Sequence, residues 1–271
     1  MLAPMKVSIC LSLFFGLFAL SSSFGAVWSS GHGDIGIGFV SNQLEPHFHF
    51  HGEEDDHDDD DHGEDDDHGE DDDHGEDDDH EHGEEEHAVI DGAEPTREEY
   101  GIGELTIRMR GPAQPGAGIA DSGAALVYLL AQDEGLADEL GSPWLGWAVE
   151  EISQGIFLND LVTLSLVNVS GPGVFSLWNT DAFGGDSVLL SSALGSEAPN
   201  QLDLALEPGH YHFNLGFSEQ GSYDVTLRAE GVLAEGVASE DFTVRFDVVP
   251  EPSALFLLAL GAVVTLRRRR A

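Results

Sequence analysis

The sequence has very few basic side chains. It contains 10 Lys and Arg residues against 52 Asp and Glu residues in 271 positions, which gives a formal net charge of −42. Half of the basic residues lie near the two ends, at Lys6 and at Arg267, Arg268, Arg269 and Arg270. A surface with this charge excludes nucleic acid as a partner, because phosphate binding needs a basic footprint.

Cysteine is nearly absent as well. The only one, Cys10, lies in the first apolar run, so disulfide frameworks and thiolate metal sites are excluded, and a transition metal would need His and carboxylate ligands. The sequence also lacks a G-x-S-x-G turn and an H-E-x-x-H motif. We therefore expect a protein that is not an enzyme. A zinc hydrolase with three protein ligands and an open position is the one catalytic alternative left.

The N-terminal residues 1–25 have the layout of a secretory signal peptide. Lys6 precedes an apolar run at residues 7–20, and small residues follow up to Gly25. The pattern predicts export with cleavage after Gly25. The run is short for a membrane-spanning helix, which is the alternative interpretation.

The C-terminal residues 250–271 have three parts. Pro250, Glu251 and Pro252 precede a mostly apolar stretch at residues 254–266, which predicts a short transmembrane helix, and the basic cluster follows: Arg267, Arg268, Arg269 and Arg270. These arginines indicate that the C-terminus is cytoplasmic and the body outside. An ordinary membrane anchor would give the same orientation.

This tail resembles the PEP-CTERM sorting signal of Gram-negative, biofilm-forming bacteria. The resemblance implies recognition by an exosortase-type membrane protease after passage through the secretion machinery. It also implies a membrane-anchored protein before processing, and a cell-surface or extracellular-matrix protein afterwards.

Residues 52–87 form an acidic, histidine-rich tract. Residues 53–87 hold 24 acids and no Lys or Arg, and a Gly-Glu-Asp-Asp-Asp-His hexapeptide occurs three times. With no apolar residue to bury, the tract is predicted to be a disordered insertion. Its carboxylates suit weak Ca²⁺ or Mg²⁺ binding, and its imidazoles suit weak binding of transition metals; a merely solvated spacer is the alternative. The histidines are His57, His62, His68, His74, His80, His82 and His87.

The remaining body, residues 26–51 and 88–249, has the pattern of an all-β protein. Short segments alternate apolar and polar residues and are separated by Gly, Pro, Asn and Asp, which predicts an Ig-like antiparallel β-sandwich. Trp144, Trp147 and Trp178 are predicted core residues. Residues 123–131 and 147–152 could form a strand or a short helix. The predicted strands are residues 34–40, 104–110, 161–169, 173–178, 187–190, 201–206, 223–229 and 242–248.

Histidines alternate with aromatic residues at two distant places. Imidazoles at His47, His49 and His51, and at His210 and His212, would lie on one face of each strand. If the two strands are neighbours, several imidazoles could converge on one zinc ion. His32 and Asp34 form a third pair with the same spacing. Surface histidines on edge strands are the alternative. The Gly-x-Gly-x-x-Gly at residues 31–36 lacks the preceding strand and following helix that dinucleotide binding requires.

Several short motifs of the body resemble the choice-of-anchor M domain, the surface-anchored repeat of actinobacterial cell-wall proteins. They are Gly-His-Gly-Asp-Ile-Gly at 31–36, the His-x-His strand, Pro-Trp-Leu-Gly-Trp at 143–147, Gly-Pro-Gly at 171–173 and Gly-His-Tyr-His-Phe-Asn at 209–214. The resemblance implies a non-catalytic surface domain associated with a metal ABC importer. It maps the family's histidines to His32, His49, His51, His210 and His212.

Two functions remain open from the sequence. The first is a surface-displayed β domain that binds a divalent transition metal, zinc foremost, for capture or buffering, with the tract concentrating ions nearby. The second is a structural protein of the envelope or biofilm matrix, whose polyanionic spacer binds Ca²⁺ or Mg²⁺.

Overall fold

The computed structural model describes residues 25–50, 87–115 and 126–249. The predicted signal peptide up to residue 24, the tract up to residue 86, His51, and the tail from residue 250 lie outside these ranges. The structure therefore does not test the predictions made for those segments, including the transmembrane helix.

The described chain is mostly β-strand. One short helix, α1 (Glu134–Leu140), begins after the Asp133 cap and ends at Gly141, and a 3₁₀ turn covers Leu158–Asp160. The strands are β1 (Ala26–Val40), β2 (Gln43–His49), β3 (Val89–Ile90), β4 (Glu99–Gly101), β5 (Leu105–Met109), β6 (Gln114–Pro115), β7 (Leu126–Leu130), β8 (Pro143–Ala148), β9 (Leu161–Ser170), β10 (Phe175–Thr180), β11 (Asp186–Ser191), β12 (Gln201–Ala205), β13 (His210–His212), β14 (Asn214–Phe217), β15 (Gly221–Val232) and β16 (Val237–Val248).

The long strand β1 organises the larger sheet. Its first residues pair with β5 and β3, and its residues from Gly31 onward pair with β2 on one side and β8 on the other. Gly31 has φ +75°, and a Cβ there would overlap the backbone of His87. Glycine is therefore required where β1 passes from one set of partners to the other.

The two sheets form a sandwich, as the sequence predicts. The larger sheet runs in the order β12, β9, β15, β16, β5, β1, β2, β4, and the smaller in the order β11, β10, β14, β7, β6. Phe217 of the smaller sheet packs on Tyr223 and Phe246 of the larger one, with ring centroids 4.3 and 5.2 Å apart. The sandwich is not purely antiparallel, because β1 pairs in parallel with β5 and β8, and β5 pairs in parallel with β16.

All eight predicted strands are present in the structure, with shifted ends. The first ambiguous segment contains strand β7; the second completes β8 and then turns. Trp147 and Trp178 are buried as predicted, at 2% and 5% exposure. Trp144 is not a core residue: it is only partly buried, because its side chain lies on the other face of β8 from Trp147.

Candidate metal-binding face

One face of the larger sheet collects nearly all the histidines that the structure describes. Five strands lie side by side in the order β13, β8, β1, β2, β4. The pairing of these strands aligns their residues in two rows across the sheet. We call the side of the sheet that carries these rows the histidine face. The first row is Glu99, His49, Asp34, Gly146 and His212, and the second is Gly101, His47, Gly36, Ala148 and His210.

Strand alternation produces this face. Residues one position along each strand, such as Ile35, Phe48 and Trp147, point to the opposite side and are 0 to 2% exposed. Their burial fixes the register, because a slip of one residue would place these apolar side chains in solvent and the histidines in the core.

The first group, the three-histidine cluster, consists of His32, His210 and His212. One ligand nitrogen from each ring lies within 4.8 Å of the other two. The rings of His32 and His210 are stacked with centroids 5.6 Å apart, and that of His212 lies 4.9 Å from that of His210. Strands β1 and β13 supply these side chains, with β8 between them.

Asp34 lies beneath this cluster and is only 1% exposed. Its Oδ1 is 3.0 Å from Nε2 of His210, which donates to it, and 3.4 Å from Nε2 of His32. A buried carboxylate needs compensating positive charge or hydrogen bonds. Asp34 therefore contacts two of the imidazoles from the sheet side, and its negative charge favours a cation bound between the rings.

Gly146 makes room for this arrangement. A Cβ at this position would overlap Oδ1 of Asp34 and lie 2.6 Å from Nε2 of His210. Because β8 has no side chain here, the carboxylate and the imidazole meet directly above its backbone.

His212 is held as a neutral ring. Its Nδ1 is 3.2 Å from the carbonyl oxygen of Leu145, which only accepts, so Nδ1 carries the proton and Nε2 carries the lone pair. Burial and the neighbouring rings of His210 and His32 lower the pKa of His212 to about 4. A neutral imidazole whose other nitrogen donates to a backbone carbonyl is the form in which histidine binds metals.

Trp144 forms one wall of the cluster. Its ring stacks on that of His212 at 3.9 Å and lies 4.6 Å from that of His32. Its Nε1 donates to the carbonyl of Gln132 at 3.1 Å, which fixes the orientation of the indole. The tryptophan therefore orients two of the three candidate ligands.

The second group, the His-Glu cluster, consists of His47, His49, Glu99 and Glu151. One ligand atom from each lies within 4.8 Å of the others. Nε2 of His47 is 2.9 Å from Oε1 of Glu151, and Nδ1 of His49 is 3.7 Å from the same oxygen. Glu151 reaches the face from the turn after β8, where Val149 donates to Gly209 and Ile152 to Val149.

The predicted ligands therefore fall into two groups. The conditional expectation that the two His-x-His strands are neighbours does not hold, because β8 and β1 lie between β13 and β2. Three strand spacings correspond to about 14 Å between the backbones that carry His212 and His49. Of the remaining predicted ligands, the tract residue His87 is exposed and belongs to neither group, while His51 of the body and the tract histidines before His87 lie outside the described residues.

Sequence reasoning missed Glu99, Glu151 and the role of Trp144. The two glutamates are indistinguishable in sequence from the many other acids, and only strand pairing and a turn bring them to the histidines. The position of Trp144 could have been predicted, since it lies three residues before Trp147 on the same strand and therefore on the opposite face.

Residues 248–270 match the PEP-CTERM protein-sorting motif. Such motifs are carried by exported proteins that are anchored in the membrane before processing, and they are processed by exosortase, a sorting protease. The PEP-CTERM motif thus identifies an exported protein sorted to the surface. No curated protein and no solved structure matches the chain. Within residues 25–50, 87–115 and 126–249, no helix has the length and hydrophobicity to cross a membrane.

Proposed function

We propose that this exported protein is a non-catalytic surface protein that captures or buffers a divalent transition metal, zinc foremost. The observation that carries the proposal is the three-histidine cluster with the Nε2 lone pair of the neutral His212 available to it. Three imidazoles form a donor set that suits Zn²⁺, Cu²⁺ and Ni²⁺, and the buried carboxylate of Asp34 supports it from below.

The dimensions of the cluster fit this chemistry. Nitrogens that share one tetrahedral zinc at ~2.0–2.1 Å lie roughly 3.4 Å apart. The three nitrogens of His32, His210 and His212 already lie within 4.8 Å of one another, so shifts of about 1 Å would bring them to that spacing. Zinc bound there would also compensate the negative charge of Asp34.

The surroundings support a site built before the metal arrives. Leu145 fixes the tautomer of His212, Asp34 orients His210, and Trp144 packs against His32 and His212. Partners of this kind hold ligands in binding geometry and raise metal affinity. The ligands lose little freedom on binding, in contrast to those of an unstructured peptide.

The acidic tract has an accessory role in this proposal. Its 24 acids and no basic residue across residues 53–87 raise the local concentration of cations. Its histidines and carboxylates are expected to bind Zn²⁺, Ca²⁺ or Mg²⁺ weakly, because the sequence predicts a disordered ligand set, and such a set must order itself on binding. Phe50, shortly before the tract, and His87, its last residue, lie beside Gly33 and Gly31 of β1.

The proposal extends to family and partner. The motifs at residues 31–36, 143–147 and 209–214 support assignment of the body to the choice-of-anchor M domain, and a metal ABC importer is the partner we propose on that basis. Two of these motifs contain the candidate ligands of the three-histidine cluster, and the third contains Trp144 and Gly146, which lie beside them.

The test is zinc retention by the full mature chain in competition with a chelator, which leaves tract-bound zinc out of the count. The variant His210→Ala/His212→Ala should lose one tightly bound ion. The matched control His68→Ala/His74→Ala removes two tract histidines and should lose none. His212→Asn retains a donor to the Leu145 carbonyl, so it tests the ligand role with less disturbance of the fold. Equal retention by all four proteins would refute the proposal.

The alternative is a structural matrix protein whose tract binds Ca²⁺ or Mg²⁺, and the long run of acids favours it. Metal competition separates the two functions. Excess Ca²⁺ should displace zinc from a carboxylate-based site and leave zinc on the three histidines.

A further inference from the structure

A second group of ligands lies on the same face, away from the three-histidine cluster. His47 and His49 come from β2, Glu99 from β4 and Glu151 from the turn after β8. Because no ligand is shared between the two groups, an ion at one does not use the ligands of the other.

Both ring nitrogens of His47 face oxygens that only accept. Nδ1 lies 3.0 Å from the carbonyl oxygen of Glu45, so it carries a proton. Nε2 lies 2.9 Å from Oε1 of the Glu151 carboxylate. A lone pair aimed at a carboxylate oxygen is repulsive, so this contact requires a positive centre between the two atoms. Either a second ring proton or a metal ion satisfies it.

Strand β1 has glycine, and therefore no side chain, at two positions below the His-Glu cluster. A Cβ at Gly36 would lie 2.7 Å from Nε2 of His47, and a Cβ at Gly38 would lie 2.9 Å from Oε2 of Glu151. Neither glycine has a positive φ that would explain its presence. The two glycines therefore provide space for the imidazole and the carboxylate to meet above β1.

The His-Glu cluster is less exposed to solvent at its histidines than at Glu151. His47 is 13% and His49 25% exposed, whereas Glu151 is 43% exposed. The imidazoles are thus held against the sheet, and the carboxylate covers them from the solvent side. Two imidazoles and a carboxylate with open positions form a known arrangement for Zn²⁺ and Fe²⁺.

We propose that His47, His49 and Glu151, with Glu99 at the rim, form a second metal position, so that one folded domain takes up two divalent ions. Its mixed nitrogen and oxygen ligands differ from the three imidazoles of the first position. This inference rests on the proposed function, because both ions would be taken up by the same metal-capturing domain. Each position has its own ligands, so an experiment can refute one position without refuting the other.

The experiment counts tightly bound Zn²⁺ per full mature chain by native mass spectrometry after chelator competition. Glu151→Gln removes the charge while keeping the size, and Gly36→Ala places a methyl group against His47 without removing a ligand. Both variants should fall from two ions to one. Glu150→Gln makes the same charge change at the adjacent exposed residue and should keep two ions.

A second set of variants separates the two positions. His210→Ala/His212→Ala should retain one ion, which is lost when Glu151→Gln is added. Circular dichroism of each variant checks that the fold persists. Two ions in Glu151→Gln, or the loss of both ions in His210→Ala/His212→Ala, would overturn the second position. One ion in the unaltered chain that disappears in Glu151→Gln would instead refute the three-histidine site and leave the second position standing.

Discussion

The acid sensitivity of the metal-free protein should depend on His212. The unfolded chain binds a proton at this residue below about pH 6.5, the ordinary pKa of histidine, whereas in the folded protein the pKa is lowered to about 4. Between these values the unfolded state binds more protons than the folded state. The free energy of unfolding should therefore fall as the pH drops from 6.5 to 4, and the His212 contribution should level off below that.

The size of the His212 contribution to the free energy of unfolding follows from the difference between its pKa values in the two states. A fall from 6.5 to about 4 corresponds to about 3 kcal/mol, at about 1.4 kcal/mol per pH unit. The ring retains some contact with solvent, which reduces the contribution to about 2 kcal/mol. An effect of this size is a large fraction of the stability of an ordinary domain.

The assay is urea unfolding in a metal chelator at intervals from pH 7 to pH 4. His212→Phe keeps a ring against Trp144 but cannot take up a proton, so its free energy of unfolding should fall by about 2 kcal/mol less than that of the unaltered protein over this range. Other titrating groups act in both proteins and cancel in the comparison. His87→Asn, which changes an exposed histidine, is the control.

Parallel loss of stability in the unaltered protein and His212→Phe would refute this reasoning. It would mean that His212 can take up a proton without cost in the folded state, and that its Nε2 is not enclosed by the cluster.

Three further predictions concern zinc, the indole and the core. Zinc at 100 times its dissociation constant should raise the free energy of unfolding by about 2.7 kcal/mol, and His212→Phe should lower this gain in thermal or urea unfolding. Trp144 stacks on His212, so Cu²⁺ should quench tryptophan fluorescence, and Trp144→Phe should remove most of that quenching; an unchanged response would place the ion elsewhere. Trp147 is 2% exposed and Phe183 98%. Trp147→Ala should therefore cost about 3–5 kcal/mol in urea unfolding, against less than about 0.5 kcal/mol for Phe183→Ala, and similar costs would contradict the described core.

Alternation made the strands predictable. Residues such as Ile35 and Ile37 of β1, or Leu202 and Leu204 of β12, repeat at period two and are buried, and a half-buried strand has this period. The helix α1 was not predicted, because its seven residues are too few to establish a helical period. The parallel pairings of β1 were also beyond prediction, because strand order depends on contacts between distant segments.

The candidate site was predictable only in part. The spacing of His210 and His212 indicated that they share a face, and so did that of His47 and His49. Whether the two pairs meet depends on which strands lie between them, and local sequence does not encode that order. Glu151 reaches His47 through a turn 104 residues along the chain, and no short-range pattern connects the two.

The sequence by itself determined that this protein has an anionic, cysteine-poor body, a β pattern and a PEP-CTERM motif at its end, because composition, periodicity and contiguous motifs are properties of neighbouring residues. Only the tertiary structure decided that five of the histidines it describes form two clusters on one sheet face, with Asp34 buried beneath one and Glu151 over the other. The physical reason is that ligand geometry is set by strand order and register, and these are fixed by burial of the apolar residues on the opposite side of the same strands.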